Sequence, residues 1–307
     1  MNELKNFYHG KQVLVTGGAG FIGSHICEKL LELGAKVRIL DNLSTGSLAN
    51  IAHLDTNIDI LNGTITDLTT CINAAKNVEM IFHLAAFVSV PKSTQDPFAC
   101  YQTNVQGTVN MLEAARRNTV PYFIFSSSSS VYGDQNIPCT EAMACNPQSP
   151  YGTSKLIGEK LCQDYAYSFG LKTICLRYFN VYGERQDPNA AYAAVVAKFK
   201  NLMTAGKPIT IFGDGKQTRD FVSVEQVTMA NICSPLADAH YLTGQPINIA
   251  SGKSINLFEL IELLKKDYPT WPHQIQWAPA RPGDVTNAAA DISRYRNTLL
   301  PKSLYHA

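Results

Sequence analysis

A short glycine-rich stretch near the start of the chain constrains the fold more than any other feature. It reads Thr-Gly-Gly-Ala-Gly-Phe-Ile-Gly and places Gly17, Gly20 and Gly23 at three-residue intervals. A strand-like run, Gln12–Val15, precedes it, and a helix-like stretch, Phe21–Leu33, follows. In such a unit the first glycine permits a tight turn, the second lets a pyrophosphate approach the backbone, and the third allows close helix–strand packing. The pattern therefore predicts a dinucleotide-binding α/β unit.

An acidic residue, Asp41, stands at the end of the next predicted strand, Lys36–Leu40. In a dinucleotide-binding unit a carboxylate at this place can bind both hydroxyls of the adenosine ribose, and it repels a 2′-phosphate. The sequence therefore predicts NAD, rather than NADP, as the cofactor.

Short apolar runs alternate with helix-like stretches through the first half of the chain. Further strands are predicted at Ile58–Leu61, Met80–Leu84, Tyr122–Phe125 and Thr173–Arg177, with helices near Pro97–Arg117 and Ser154–Phe169. Repeated strand–helix–strand crossovers form a parallel sheet with helices on both faces. The predicted fold is α/β, a Rossmann-type doubly wound parallel sheet.

After Arg177 the pattern loosens, because prolines and glycines interrupt it at short intervals. Helices are predicted at Ala191–Ala205, Val224–Ala237 and Asn256–Lys266. We expect a NAD-binding Rossmann domain over residues 1–177 and a smaller mixed α/β substrate-binding domain over residues 178–307. Segments within residues 220–250, such as the predicted strand Ile247–Ala250, are expected to return to the first domain.

The charge balance and the cysteines exclude several classes of function. Lys and Arg number 26 against 25 Asp and Glu, and a net charge of +1 gives no basic footprint for nucleic acid or an anionic membrane. The apolar runs are too short to cross a bilayer, and the first residues lack the core of a signal peptide. The 8 cysteines show no CxxC or zinc-ligand spacing. We therefore expect a cytoplasmic protein with buried thiols and no metal site.

A second motif, Tyr151-Gly-Thr-Ser-Lys155, follows Pro150 at the start of a predicted helix. Residues four apart on a helix share a face and lie about 6 Å apart along its axis. An ammonium lowers the pKa of a nearby phenol, as does the charge of an oxidised nicotinamide, and a tyrosinate near neutrality is a general base for a hydroxyl. The serine run at residues 126–130 ends a predicted strand, where parallel sheets place their ligands. Together the two segments predict an active site for a sugar or alcohol hydroxyl.

At this point the sequence resembles a family, the extended short-chain dehydrogenase/reductases. The resemblance extends over nearly the whole chain and depends on the glycine loop, on Ser128 before Tyr132-Gly133, and on Tyr151 with Lys155. Stretches similar to those of nucleotide-sugar C4-epimerases are Leu84–Ala86, Leu176–Gly183 and Gly213–Phe221. Two further segments are similar to the branch of these epimerases that accepts UDP-N-acetylhexosamines: Ser89–Pro91 and Arg185–Pro188. The resemblance implies a UDP-sugar epimerase with bound NAD.

The resemblance also implies roles for individual residues. Ser128 would hydrogen-bond the sugar O4, Tyr151 would take its proton, and Lys155 would bind the nicotinamide ribose and tune Tyr151. Besides Tyr151 and Lys155, the implied cofactor-binding residues are Gly17, Gly20, Phe21, Ile22, Gly23, Asp41, Asn42, Ser44, Gly46, Thr64, Ile65, Ala85, Ala86, Asn104, Ser126 and Tyr178. Besides Ser128 and Tyr151, the implied substrate-binding residues are Ser89, Asn180, Ala194, Val195, Thr210, Phe212, Arg219, Arg281, Asp284 and Ala288.

Three features distinguish this chain from relatives. Thr64 stands where relatives carry an Asp that touches adenine, which predicts a weaker contact there. Val88 stands where the acetamido-accepting branch often has a smaller or polar residue. Related dehydratases carry an acidic pair before the Val-Tyr-Gly segment, and related decarboxylases carry a Glu, whereas this chain has Ser129-Ser130. Elimination chemistry is therefore disfavoured.

The substrate and the assembly follow from the same resemblance. Ala288 falls where a bulky Tyr restricts relatives to glucose and galactose, so its small side chain predicts UDP-GlcNAc and UDP-GalNAc, with UDP-glucose and UDP-galactose as further candidates. Two alternatives stay open: a UDP-glucuronate 4-epimerase and a non-catalytic NAD-binding regulatory protein. Relatives pair the helices near Pro97–Arg117 and Ser154–Phe169 with their copies, which predicts a homodimer.

Overall fold

A seven-stranded sheet dominates the computed structural model, which describes residues 1–54, 58–135, 138–187, 195–279 and 287–299. Its strands pair in the order β3-β2-β1-β4-β5-β6-β10, and every pair is parallel. These strands are β1 (Gln12–Thr16), β2 (Lys36–Asp41), β3 (Asp59–Asn62), β4 (Met80–His83), β5 (Tyr122–Ser128), β6 (Lys172–Tyr178) and β10 (Thr243–Ile249). The predicted Rossmann-type doubly wound sheet is confirmed.

The strand order reverses between β1 and β4, which are neighbours in the sheet although two strands separate them in sequence. In parallel α/β sheets, ligands bind outside the carboxyl ends of the strands at such a switch point. The glycine loop follows β1 directly, and the serine run ends β5 beside β4. The topology therefore brings the two sequence motifs to one edge of the sheet.

Helices cover both faces of the sheet. The helices of the described residues, of which α8 and α10 belong to the C-terminal part, are α1 (Asn2–Tyr8), α2 (Phe21–Glu32), α3 (Leu68–Ala74), α4 (Val90–Gln95), α5 (Pro97–Tyr101), α6 (Gly107–Arg117), α7 (Pro150–Phe169), α8 (Val195–Thr204), α9 (Val224–Cys233), α10 (Leu257–Lys265) and α11 (Ser293–Thr298). The predicted helix at Pro97–Arg117 is not uniform, because a wider π-helical turn at Gln102–Gln106 separates α5 from α6. Among the described residues, no helix is both long and apolar enough to span a bilayer.

Local capping explains where the longest helix begins and ends. The Ser149 hydroxyl accepts a hydrogen bond from the Gly152 N–H, and Pro150 occupies the first turn of α7, where a missing N–H costs nothing. The helix ends at Gly170, which has a φ of 69° that residues with a side chain adopt only under strain. These signals place Tyr151 and Lys155 in the first two turns of α7.

The C-terminal part of the chain builds a smaller layer over the carboxyl edge of the sheet. Its remaining strands are β7 (Asn180–Tyr182), β8 (Ile209–Phe212), β9 (Thr218–Ser223), β11 (Ser254–Asn256), β12 (Ile275–Ala278) and β13 (Asn287–Ala288). β9 pairs with β7, β11 and β13, and β8 pairs with β12. The buried residues of α8, β8 and α10 form a hydrophobic cluster of their own. Between these elements, β10 pairs in parallel with β6 at the edge of the central sheet.

Candidate active site

The glycine loop forms an open cradle at the start of α2. A Cβ atom on Gly23 would lie 2.2 Å from the Gly17 carbonyl oxygen, so no side chain fits there. A Cβ on Gly20 would meet only that oxygen, at 3.1 Å, among the described atoms. Gly20 also caps α2 without a side chain, which leaves the first N–H groups of the helix uncovered by a capping oxygen. The cradle fits a pyrophosphate, which helix N-termini bind through backbone N–H groups.

Asp41 is buried at the end of β2, beside the glycine loop. Its carboxylate accepts hydrogen bonds from the Ala19 N–H at 3.0 Å and from the Leu43 N–H at 2.8 Å. A Cβ on Gly46 would lie 3.0 Å from the same carboxylate, so the chain after Asp41 folds back tightly onto the loop. This places a carboxylate next to the cradle, as the predicted contact with the adenosine ribose requires.

Other predicted cofactor residues differ in the hydrogen bonds that their side chains make within the protein. The Thr64 hydroxyl pairs with the Thr66 hydroxyl at 2.9 Å and accepts from the Thr66 N–H. Asn104 donates to the Phe87 carbonyl and the Ser154 hydroxyl and accepts from the Phe87 N–H. Asn104 therefore ties the segment after β4 to α7. The predicted residues Ile22, Ile65, Ala85 and Ala86 are half-buried or buried, whereas Asn42 and Ser44 are exposed.

Ser128, Tyr151 and Lys155 come together where β5 ends against the first turns of α7. The Ser128 hydroxyl lies close enough to the phenol of Tyr151 to act on its pKa, which it lowers. The Lys155 ammonium donates to the Ser126 carbonyl at 2.7 Å and lies 5.9 Å from the centroid of the Tyr151 ring. The predicted serine, tyrosine and lysine thus form one constellation.

Burial is the largest influence on the pKa values of Tyr151 and Lys155 in the protein without NAD. Desolvation lowers the pKa of Lys155 to about 8. Desolvation raises the pKa of Tyr151, and Ser128 only partly opposes the rise. The Lys155 ammonium donates to the Ser126 carbonyl, and without NAD burial is the largest influence on the pKa of Tyr151. That Lys155 and an oxidised nicotinamide together lower the pKa of Tyr151 stays a prediction.

A second set of hydroxyls lies beside the constellation. The Ser126 hydroxyl and the Tyr178 phenol are 3.0 Å apart, and the phenol donates to the Asn231 side chain at 2.9 Å. The sequence analysis did not predict this contact of Asn231, which lies on α9. A polar residue within a largely apolar helix is the pattern that indicates it. These contacts hold Tyr178 in place next to the carbonyl that anchors Lys155.

His83 ends β4 within the same region, and its environment excludes general-base work. Its ring nitrogens contact the Thr16 hydroxyl at 2.8 Å and the Thr108 hydroxyl at 3.2 Å. Burial, with a smaller contribution from Lys155, lowers the pKa of His83 to about 3. His83 is therefore a neutral packing residue, as its apolar sequence context indicates.

A buried ion pair lies one helical turn beyond Lys155, and the sequence motifs did not predict it. Glu159 accepts from Arg177 through both carboxylate oxygens, at 2.8 and 2.7 Å, and from the Ser127 hydroxyl at 2.5 Å. Both charged side chains are almost fully buried. Two features of the sequence indicate this ion pair: a glutamate on the same helix face as Lys155, and an arginine inside an apolar strand. The pair fastens α7 to β5 and β6.

The residues predicted to bind substrate lie on several separate elements. Asn180 donates to the Asp220 carbonyl, Arg219 donates to the Thr218 carbonyl, and the Ser89 hydroxyl caps α4. Thr210 and Phe212 are half-buried on β8, and Val195 begins α8. The backbone of Ala288, in β13, pairs with that of Arg219 in β9. Ala194, Arg281 and Asp284 lie outside the described residues.

Metal chemistry finds no support in the described part of the chain. No group of three or more His, Cys, Asp or Glu side chains there is arranged to hold a metal ion. The cysteines are free, and all but the half-buried Cys145 are buried.

Comparison with known proteins identifies the family. Residues 13–250 match the NAD dependent epimerase/dehydratase family. A putative UDP-glucose 4-epimerase of Methanocaldococcus jannaschii is 41% identical over 286 residues, 92% of this chain and 90% of that protein. The structure of a UDP-N-acetylglucosamine 4-epimerase from Methanobrevibacter ruminantium, in complex with UDP-N-acetylmuramic acid, is 38% identical with a TM-score of 0.89, covering 94% of this chain and 91% of that one.

A UDP-glucose 4-epimerase from Thermotoga maritima, solved with UDP-glucose, is 36% identical with a TM-score of 0.88, covering 94% of this chain and 92% of that one. Similarity of this extent leaves no doubt about the relationship, and it agrees with the cradle, Asp41 and the serine–tyrosine–lysine constellation. The chain belongs to the NAD-dependent epimerase/dehydratase family.

Proposed function

We propose that this chain is a UDP-sugar C4-epimerase that interconverts UDP-GlcNAc and UDP-GalNAc, with UDP-glucose and UDP-galactose as further substrates. The observation that carries the proposal is the constellation of Ser128, Tyr151 and Lys155 at the switch point of the sheet, beside the pyrophosphate cradle. Relatives over nearly the whole chain are named as UDP-sugar 4-epimerases, which supports the same chemistry.

The chain's own residues supply the proton transfer that epimerisation needs. We assign Tyr151 as the base that takes the proton of the sugar O4 and returns it, with Ser128 holding the same oxygen. Lys155 would orient the nicotinamide ribose and keep a positive charge close to Tyr151. Bound NAD supplies the hydride acceptor at C4 and a positive charge that lowers the pKa of Tyr151. Epimerisation through a transient 4-keto sugar would also require the sugar to rotate within the site, so that its other face is presented to the cofactor.

The residues around Ser128 favour epimerisation over elimination. Ser129 and Ser130 form a short turn after β5, and the Ser128 hydroxyl accepts from the Ser130 N–H at 3.2 Å. Serine hydroxyls are too weakly acidic to serve as proton-transfer groups near neutral pH, whereas a dehydratase must remove a proton and a hydroxyl from neighbouring carbons. This supports a reaction that needs only one base and one hydride acceptor.

The choice between a plain and an acetamido sugar depends on Ala288. Its backbone pairs with Arg219, which we assign to the diphosphate together with Asn180, Arg281 and Asp284. A small residue at this place leaves room beside C2 of the sugar, and a phenol ring there would overlap an N-acetyl group. One relative is named a UDP-N-acetylglucosamine 4-epimerase and another a UDP-glucose 4-epimerase, so both sugars belong in the test.

The remaining assignments complete the proposal. We place the cofactor on the predicted cofactor-binding residues, from Gly17 to Tyr178, and the UDP-sugar between that surface and residues 180–220 and 287–291. The chain would divide near residues 177 and 178, with β10 belonging to the first domain. We also propose a cytoplasmic homodimer without nucleic-acid or membrane partners.

The test uses purified protein with UDP-GlcNAc, UDP-glucose and UDP-glucuronate, and NMR resolves the epimers formed. We expect UDP-GalNAc from UDP-GlcNAc, and a fall in turnover of about 1,000-fold or more in Tyr151→Phe, because the base is lost. Turnover of UDP-glucuronate alone would favour the UDP-glucuronate alternative. No turnover of any sugar, with NAD still bound, would favour a regulatory protein.

A matched pair of variants tests the selectivity. Ala288→Tyr should abolish turnover of UDP-GlcNAc and spare that of UDP-glucose, whereas Ala288→Ser, which stays small, should turn over both. If Ala288→Tyr epimerises UDP-GlcNAc at the wild-type rate, Ala288 does not set the preference. The residues that set the sugar preference would then have to be sought around Val88, Ser89 and Ala194.

A further inference from the structure

A buried carboxylate, Asp220, lies next to Arg219 on β9, and the proposed mechanism does not use it. Its side chain has no exposed surface. One oxygen accepts from the Ser251 N–H at 2.8 Å and from the Ser251 hydroxyl at 2.7 Å, and the other accepts from the Gly252 N–H at 2.9 Å. The Ala290 N–H lies close to the same carboxylate and acts to lower the pKa of Asp220, against the rise caused by burial. One side chain thus faces donors from three residues in two stretches of the chain, 251–252 and 290.

These donors come from segments that the proposed substrate site must hold together. Ser251 and Gly252 follow β10, the edge strand of the central sheet, and Ala290 follows β13 by two residues. Asp220 itself stands on β9, directly after the arginine assigned to the diphosphate. Asp220 therefore links the diphosphate strand, the central sheet and the strand that carries residue 288.

A second buried side chain, Asn248, fixes the same segment from the central sheet. Its amide donates to the Cys139 carbonyl at 2.9 Å and to the Asp291 carbonyl at 3.2 Å. The Cys139 N–H donates to the Ala289 carbonyl at 2.8 Å, so the backbone of Cys139 also contacts this segment. Residues 289–291 are thus held from two sides, so the position of β13 relative to β9 is set by side chains and not by its short backbone pairing alone.

The chemistry of the pocket requires a carboxylate and not merely a polar group. A carboxylate only accepts hydrogen bonds, through two oxygens, and here four donors point at it. An asparagine has nearly the same shape, but its NH2 group would face at least one N–H donor. Loss of buried hydrogen bonds of this kind is costly where the freed donors find no water.

We propose that Asp220 is a positioning residue for sugar selectivity: its cage of donors sets the separation between the diphosphate clamp on β9 and the C2-facing strand β13. The inference rests on the proposed function. It assigns no proton transfer to Asp220. It predicts that weakening the cage changes how well each UDP-sugar is bound and distinguished, while the chemistry at Tyr151 and the binding of NAD stay intact.

The test compares Asp220→Asn with Ser251→Ala, which removes one of the four donors, and with Asp238→Asn, which makes the same change at an exposed carboxylate. For Asp220→Asn we expect the KM for UDP-GlcNAc to rise about 10-fold, with kcat within about three-fold of wild type. The ratio of kcat/KM between UDP-GlcNAc and UDP-glucose should change by about five-fold or more, because a displaced β13 affects the acetamido group first. Ser251→Ala should shift both quantities in the same direction by less, and Asp238→Asn should change neither. The NAD content should match wild type throughout.

Unchanged KM and sugar ratio in a folded Asp220→Asn would overturn the proposal. So would a loss of kcat that is equal for both sugars and follows the thermal stability, since a purely structural role predicts that result. If Asp220→Asn does not fold, Ser251→Ala decides, and wild-type KM and sugar ratio there overturn the proposal. A wild-type protein that epimerises no UDP-sugar would contradict the proposed function instead. In that case calorimetry with UDP decides, and equal affinity of wild type and Asp220→Asn would overturn the positioning role.

Discussion

Lys155 carries an ammonium group into a site that is almost closed to water. Its exposed fraction is 4%, its ammonium donates a hydrogen bond to the Ser126 carbonyl, and Glu159, the nearest acid on its helix, is paired with Arg177. Burial lowers the pKa of Lys155 to about 8 from its ordinary value of 10.5. The charge on Lys155, which we propose assists Tyr151, is therefore held at a cost in folding free energy.

This cost predicts how Lys155→Met changes stability with pH. Between about pH 8 and 10.5 the unfolded wild type binds more protons at this residue than the folded protein, so wild-type stability gains from this group as the pH rises. At pH 7 the NAD-free Lys155→Met variant should be the more stable by roughly 2 kcal/mol, allowing for the lost hydrogen bond, and the difference should shrink toward pH 10.5. Urea unfolding at several pH values measures it, with the exposed Lys160→Met as control. A difference that grows with pH would contradict the assignment.

The glycines of the loop between β1 and α2 have different surroundings and different proposed roles. A Cβ on Gly23 would lie 2.2 Å from the Gly17 carbonyl oxygen, which leaves no room for a side chain, whereas a Cβ on Gly20 would meet that oxygen at 3.1 Å. We assign Gly23 to packing and Gly20 to the pyrophosphate. The two positions look alike in the sequence motif. Their different surroundings predict different defects on substitution.

Gly20→Ala should fold and lose NAD, because the added methyl meets only one backbone oxygen, at 3.1 Å, and enters the pyrophosphate cradle. Gly23→Ala should lose stability by about 3 kcal/mol, since its Cβ would lie 2.2 Å from the Gly17 oxygen and α2 would have to shift. Thermal unfolding and the NAD released on denaturation measure the two effects. A stable Gly23→Ala with full NAD would contradict the packing role of Gly23, and a Gly20→Ala that retains NAD would contradict the binding role of Gly20.

At the scale of the whole molecule, α5 and α7 present large apolar side chains to solvent. Phe98 on α5 is 76% exposed, and Tyr167 and Phe169 near the end of α7 are 94% and 56% exposed. The two helices pack on one another along the same side of the sheet. Exposed aromatic side chains in such numbers are typical of a surface that another chain covers.

We therefore expect the protein to sediment as a dimer at micromolar concentration. Phe98→Glu should shift it toward monomer, because a dimer would have to bury two carboxylates across its two-fold axis. Leu263→Glu, at a half-exposed position on α10, is the matched control and should leave the dimer intact. Sedimentation velocity measures both. A wild type that is only monomeric would contradict the proposed assembly.

The sequence by itself determined the features that depend on short spacings. The glycine loop, Asp41 and the pair of Tyr151 and Lys155 are defined by residues close together in the chain, and the local rules for turns, strands and helices govern them. The doubly wound sheet follows as well, because repeated short crossovers permit few other arrangements.

Only the tertiary structure decided features that depend on distant residues and on burial. The amide of Asn104 is committed to Phe87 and Ser154, and the carboxylate of Asp220 to residues 251, 252 and 290. Burial raises the pKa of Tyr151 in the protein without NAD, a contribution that the spacing of Tyr151 and Lys155 does not reveal. Hydrogen bonds between remote segments and the exclusion of water arise only when the sheet, its helices and the C-terminal layer pack together, so no local spacing encodes them.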